Sequence, residues 1–347
     1  MKLLSTSDED LKKAAAVLAK GALVAFPTET VYGLGADAFN TAALARVFEA
    51  KRRPRFDPLI VHIADITSLP DIIDTAALSK TAKERLSLLS ERLWPGPLTL
   101  ILPKRPEVPD LATAGLATVA VRFPSHPVAQ KLINLAGRPV AAPSANRFGC
   151  LSPTRASHVK SQLSEKVDYV IDGGKTTVGL ESTVLDISGE RPVILRPGGI
   201  SQETIEALLG KVELSNTNAI TNETVSETAP MSPGQIKNHY APKTQLVLYH
   251  HGELAAMTDV SNEGRLYFSA PEGIITKASG AGTTAVGNLP STTRVLSGNG
   301  DLTEAAANLF DMLHELDSLG LSVIRAEEAP NQGLGLAIND RLKRAEK

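Results

Sequence analysis

The run Lys51-Arg-Arg-Pro-Arg55 puts four cations within five positions, and Asp57 stands two residues later. A guanidinium presents a planar fork of donors and an ammonium a compact point charge, so the cluster suits a polyanion such as a triphosphate. Alone, it reads equally as a solvated basic face. The apolar run that follows, Leu59-Ile-Val-His-Ile63, holds one imidazole, His62, and a lone histidine there is ordinarily a satisfied core residue. Upstream, Phe26-Pro-Thr-Glu-Thr-Val-Tyr-Gly-Leu-Gly-Ala-Asp37 gathers two hydroxyls, the carboxylate of Glu29 and a phenol, and such a loop can line a ligand site. Its plainer reading is a strand-to-helix connection with turn glycines.

The same theme recurs. Arg122 closes the apolar run Thr118-Val-Ala-Val-Arg122 and must reach solvent or meet an anion. Pro143-Ser144-Ala145-Asn146 and Leu151-Ser152-Pro153-Thr154 place hydroxyls and an amide after Val140–Ala142, where turn stabilisation is their ordinary job. Gly179-Leu-Glu-Ser182-Thr-Val184 and Leu195-Arg196-Pro-Gly-Gly199 add two more polar clusters at strand boundaries. Surface turns alone do not call for so many, and together they are expected to converge on one concave, positively biased cavity. Asp172-Gly-Gly-Lys175-Thr176 resembles the end of a phosphate-binding P-loop but has Tyr169 where the first glycine belongs, so it reads as a turn.

These clusters need strands to present them. Continuous apolar runs at 22–26, 59–63, 98–102, 119–122, 140–142, 169–171, 182–187 and 193–195 predict buried strands. Helical spacing covers 8–20, 42–51, 81–93, 128–136 and 202–209. The expected fold is α/β: an open twisted mixed sheet with helices over 1–208. A linker follows at 209–243, because Asn, Thr, Ser, Glu and Pro dominate from Val212 to Pro233 without periodicity. Strands expected at 246–249, 265–269, 293–296 and 322–326, with helices at 302–319 and 339–346, predict a smaller Rossmann-like α/β domain over 244–347. No G-x-G-x-x-G follows its first strand, so dinucleotide binding has little support.

At 347 residues the chain exceeds what one core ordinarily fills. Residues 1–200 carry 25 Lys and Arg against 20 Asp and Glu, and the remainder 11 against 18, which directs the search for an anionic ligand to the first part. The single Cys150 and seven scattered histidines offer no thiolate cluster or ligand spacing, so no tightly bound protein metal is expected. Apolar stretches fall short of the roughly 20 residues of a membrane helix, so a cytoplasmic location without membrane contact is expected.

FPTETVYGLGADA, K-x-R-P at Lys51–Pro54 followed by PLIVHI, WPGPLTLIL, VAVRFP, PSAN with a later SPT, GLESTV and LRPGG occur in this order. The set resembles the YrdC-like threonylcarbamoyl-AMP synthases, and SPGQIKNHYAP at 232–242 resembles their long, two-domain form. The resemblance implies that L-threonine and bicarbonate give a carbamate that attacks the α-phosphate of ATP, releasing pyrophosphate and threonylcarbamoyl-adenylate. It also implies Mg²⁺ carried with ATP, and a Kae-type transferase machinery that passes the group to adenosine in tRNA, with at most a weak contact between this chain and tRNA. Carried over by motif, Thr30, His62, Arg122, Ala142 and Ser182 contact threonine. Arg53, Asp57, Thr118, Ser144, Ser152, Arg196 and Tyr240 contact ATP, and Lys51 and Arg53 are the catalytic cations. The family commonly has Asn where this chain has Asp57. Tyr240 lies in the linker, which is expected to fold back as a lid.

Two rival readings differ in class. Carbamoyl-adenylate chemistry belongs to larger hydrogenase-maturation proteins with zinc-finger regions, which a lone cysteine does not supply. An RNA-binding module would use the same basic cavity, yet aromatics make up only 4% of the chain and the second part is acidic.

Overall fold

The computed structural model describes residues 1–215, 240–257, 262–271, 276–278, 284–286 and 290–346. The chain divides into two compact units. The first comprises Met1–Phe148, Pro153–Thr176 and the described residues from Glu181 to Ser215; the second comprises Gly149–Ser152, Thr177–Leu180 and the described residues from Tyr240 onward.

Elements of the first unit run β1 (Lys2–Leu4), α1 (Asp8–Leu18), β2 (Val24–Phe26), β3 (Gly33–Asp37), α2 (Thr41–Lys51), β4 (Ile60–His62), α3 (Lys80–Leu93), β5 (Leu98–Pro103) and α4 (Asp110–Thr113). They continue β6 (Thr118–Arg122), α5 (Pro127–Ala136), β7 (Val140–Ala141), α6 (Ala156–Leu163), β8 (Tyr169–Ile171), β9 (Thr183–Asp186), β10 (Val193–Arg196), α7 (Gln202–Leu209) and β11 (Glu213–Leu214). The strands form one mixed sheet in the order β1-β8-β2-β3-β7-β4-β6-β5-β9-β10-β11. β11 pairs in parallel with β10, so the start of the stretch read as linker forms a sheet edge.

Helix starts follow local chemistry: Ser7, Asn40, Ser79 and Ser201 each accept a backbone N–H of the first turn, satisfying donors that a helix leaves open. Lys51 ends α2 because Arg52 takes a left-handed conformation at φ 53. The Gly-rich segment after the 27–32 loop is a strand rather than a turn leading to a helix. β3 runs antiparallel to β2, and a Cβ on Gly35 would come within 2.7 Å of the Phe26 ring. Glycine is there to admit an aromatic ring across the ladder.

The second unit contains β12 (Gln245–Tyr249), β13 (Glu263–Ser269), β14 (Thr276–Ala278), β15 (Thr284–Val286), β16 (Thr293–Ser297), α8 (Leu302–Asp317), β17 (Val323–Glu327) and α9 (Gly335–Ala345). Its main sheet is parallel in the order β12-β17-β13-β16. Leu309, Phe310 and Leu313 of α8 and Ile338 and Leu342 of α9 are buried. Two segments from within the 1–208 stretch belong to this unit. Cys150 bridges to Ala241, and the Ser152 carbonyl accepts from His314 Nε2 at 3.1 Å. Gly179, at φ +75, lies so close to α8 that a Cβ would stand 2.4 Å from the Ala306 carbonyl oxygen. Among the described residues no helix is long and apolar enough to cross a membrane.

Candidate active site

Five neighbouring strands of the first unit, β4, β6, β5, β9 and β10, sort their side chains by alternation. Val61, Leu100, Val119, Val121, Leu185 and Ile194 enter the large core. The opposite face carries a small apolar patch of Ile60, Ile101, Ala120, Val184 and Leu195. The same parity puts His62, Thr99, Arg122 and Ser182 on the patch side, all buried. A sheet face that buries so many polar groups around so little apolar area must pair those groups.

At one end of this face, β4 and β6 run parallel with His62 opposite Arg122, and Thr99 of β5 opposes Arg122 on its other side. Arg122 is 2.8 Å from Glu29, which the 27–32 loop delivers between β2 and β3. Burial pulls Glu29 toward its neutral form, but Arg122 prevails and holds its pKa below the usual carboxylate value. At His62 burial first, and the Arg122 charge second, outweigh the opposing pull of backbone carbonyls and Glu29 and push its pKa down to about 3. It is therefore a neutral imidazole, with Nδ1 3.1 Å from the Ile60 carbonyl. In the same loop Thr28 Oγ1 lies 2.7 Å from Thr30 Oγ1 and 2.7 Å from the Val31 carbonyl. Ala142 follows β7 and donates its N–H to the Ile60 carbonyl.

The cations gather toward the other end. Lys51 is buried at the end of α2, and its Nζ donates to the carbonyls of Ser144 and Asn146 at 2.5 and 2.6 Å. Arg53 donates to the carbonyls of Asp57 and Pro58 and makes an ion pair with the Asp57 carboxylate at 2.8 Å. Thr118, half-buried at the start of β6, lies one strand across, about 13 Å from Arg122 by the ordinary rise per residue. Ser144 also donates its hydroxyl to the Asn146 side chain.

Arg196 connects the two ends. After a bulge in β10 its guanidinium donates to the Ser182 carbonyl at 2.9 Å and to Ser182 Oγ at 3.2 Å, while Ser182 Oγ lies 2.7 Å from Thr99 Oγ1. Its charge is also felt by Asp57. Gly198 closes this corner: a Cβ there would stand 2.4 Å from the Glu181–Thr183 backbone.

The structure thus gathers Thr30, Lys51, Arg53, Asp57, His62, Thr118, Arg122, Ala142, Ser144, Ser182 and Arg196 in the first unit. Ser152 and Tyr240 belong to the second. The Tyr240 ring is buried there, 5.7 Å from the Phe310 ring, with the Arg341 guanidinium 4.9 Å above it. The expected lid lies largely at 216–239, outside the described residues. Residues to which sequence reasoning gave no role are Glu29, Thr99 and Asn146. Glu29 carried a signal, a carboxylate between two threonines, whereas Thr99 becomes visible only through the β5–β6 register. The P-loop look-alike is a brace: Tyr32 OH donates to the Gly174 carbonyl and accepts from the Gly173 N–H. Burial raises that phenol to a pKa of about 12.

No group of three or more His, Cys, Asp and Glu suited to a metal occurs among the described residues. The cation cluster has one carboxylate, Asp57, which suits a Mg²⁺ held chiefly by substrate phosphates and water rather than by a protein cage.

Residues 16–198 match the Sua5–YciO–YrdC family model, described as telomere recombination, and residues 200–346 match the threonylcarbamoyl-AMP synthase C-terminal domain. A threonylcarbamoyl-AMP synthase of Bacillus subtilis is 43% identical over 99% of this chain and 94% of its own length. One of Pyrococcus abyssi is 42% identical over 96% of this chain and 93% of its own length. A crystal structure of P. abyssi Sua5 complexed with L-threonine superposes with a TM-score of 0.84, at 37% identity, covering 99% of this chain and 97% of that one.

Proposed function

The chain belongs to the threonylcarbamoyl-AMP synthase family of nucleotidyl-transferring enzymes, and from that premise we propose how its own residues carry the reaction. The activity is threonine-dependent synthesis of threonylcarbamoyl-AMP for tRNA modification. The observation that carries the residue assignment is the single sheet face on which a neutral His62, Arg122, Thr99 and Ser182 adjoin Arg196, whose charge reaches Asp57 together with those of Lys51 and Arg53.

In this reading the Arg122 end takes the amino acid, with Thr30, His62, Ala142 and Ser182 shaping its pocket, and the cation end takes ATP. The threonine ammonium gives up a proton to solvent, and the free amine attacks bicarbonate, giving the carbamate and water. A carbamate oxygen then bonds to the α-phosphorus while the bond to the β-phosphate oxygen breaks, so pyrophosphate leaves with the electron pair. Charge moves onto pyrophosphate in that step. Lys51, Arg53 and Arg196 meet it with three positive charges against the one carboxylate of Asp57, which is the electrostatic work phosphoryl transfer requires. Mg²⁺ bound with ATP would neutralise phosphate charge, held chiefly by phosphate oxygens and water. Thr118, Ser144, Ser152 and Tyr240 are assigned to the nucleotide. The product passes to a Kae-type tRNA transferase in the cytoplasm, with only a weak contact between this chain and tRNA.

Pyrophosphate release from Mg²⁺-ATP and bicarbonate, compared with L-threonine, L-serine and no amino acid, tests the reading. Threonine- and bicarbonate-dependent release with a product of threonylcarbamoyl-AMP mass is expected; release that ignores threonine would overturn it.

Asp57 provides a pH prediction. Burial outweighs the pull of Arg53, Lys51 and Arg196 and raises its pKa above the ordinary 3.8. Between 3.8 and the raised value the folded chain binds more proton than the unfolded chain, so this contribution to stability is full below 3.8 and is lost as pH rises through the raised value. Asp57→Asn is expected to flatten that part of the unfolding-versus-pH curve and to bind ATP at least as tightly as the parent, because a carboxylate opposite phosphate repels it. Weaker ATP binding by the variant would instead show the carboxylate holding the nucleotide or its metal.

A further inference from the structure

An α-amino acid arrives as a zwitterion, and a site that neutralises only its carboxylate leaves a buried ammonium without an anion, which costs several kcal/mol. The end of the sheet face assigned to threonine already contains the complementary pair. Arg122 and Glu29 are both nearly inaccessible, at 4% and 5% exposure, with a guanidinium nitrogen 2.8 Å from a carboxylate oxygen. Glu29 is held next to Thr30 by the turn in which Thr28 Oγ1 accepts the Thr30 and Val31 N–H groups, so its direction is fixed by the same loop that supplies Thr30. Its charge also reaches His62 and His126.

We propose that Glu29 is the ammonium-binding residue of the amino acid site: the substrate carboxylate is taken by Arg122 and its α-ammonium by Glu29, so that four charges alternate in sign. The inference rests on the assignment of threonine to the Arg122 end. Electrostatically it explains why this loop carries a buried carboxylate beside the one arginine that must receive an anion. Without substrate, Glu29 neutralises Arg122; with substrate, each keeps an opposite charge in reach. The arrangement also holds the nitrogen in place: once the ammonium has given up a proton to solvent, its lone pair attacks bicarbonate where Glu29 has positioned it. Because Arg122 keeps it ionised, Glu29 serves as an anion for the ammonium rather than as a base of ordinary strength.

The test compares equilibrium binding of L-threonine and of 2,3-dihydroxybutyrate, in which a hydroxyl replaces the ammonium, to the full chain and to Glu29→Gln. The variant is expected to lose at least ~10-fold in threonine affinity, as for a lost hydrogen bond to a charged group, with under ~3-fold change for the hydroxy acid. Equal affinity of variant and parent for threonine would overturn the proposal while leaving the Arg122 assignment intact, provided Arg122→Gln loses both ligands. A parent chain that binds neither ligand, or an Arg122→Gln that keeps both, would overturn the threonine assignment and the proposal with it. Hydroxy-acid binding reports that Glu29→Gln is folded. Should it not fold, Glu29→Asp gives the same comparison: its set-back carboxylate should weaken threonine more than the hydroxy acid, and equal losses would count against Glu29.

Discussion

Lys51→Met is expected to lower threonylcarbamoyl-AMP formation by at least ~10³-fold, the scale on which a cation aimed at transferring phosphate acts. The ammonium is buried at the end of α2 and held by the Ser144 and Asn146 carbonyls, so its position does not depend on substrate. Methionine keeps the length of the stem and removes the charge. Unfolding should register far less, about 1–3 kcal/mol, because unmatched carbonyls are partly offset by the loss of a buried charge. Single-turnover product formation, read beside thermal unfolding, checks both. Threonine binding should be unchanged, since Lys51 lies at the other end of the sheet face from Arg122. A variant retaining a tenth or more of the activity would remove Lys51 from the reacting centre.

Arg196→Ala is expected to be different in kind. Its guanidinium holds both the carbonyl and the hydroxyl of Ser182, and it also contributes to the potential at Asp57. Turnover should fall roughly 10²–10³-fold, as for loss of a preorganised donor. Threonine affinity should fall too, because Ser182 and its partner Thr99 lose the group that fixes them. Equilibrium binding of each substrate separates the two variants: Lys51→Met is defective with ATP alone, Arg196→Ala with both. Normal threonine binding by Arg196→Ala would show that Ser182 is held without it.

Much of this is legible in the sequence. The buried strands of the first unit announce themselves as apolar runs, and the clusters at their ends include most residues that the sheet face brings together. What the sequence hid has physical causes. β3 reads as a turn because Gly33 and Gly35 stand in it, yet Gly35 is required by the Phe26 ring across the ladder. β1, β11 and α6 are short, and β11 is exposed, so they carry weak hydrophobic patterns. Thr99 sits inside an apolar run and becomes a site residue only through its register with Arg122. The last helix begins at Gly335 rather than near Asn339, because its first turn contains a glycine, which argues against a helix on propensity alone.

Where the chain could be cut follows from the two short segments that leave the first unit. A fragment ending at residue 208 looks, on paper, like a finished module. It would nevertheless retain 149–152 and 177–180 without Ala241, His314 or the Ala306–Ala307 backbone against which they are set. Gly179 would be left with a left-handed turn and no reason for it. The two units are separable as compact bodies but not as lengths of chain: any single break after 208 divides the sequence at a place where the packing is not divided. Dissection by limited proteolysis should accordingly yield nicked protein that stays together, rather than a free first half.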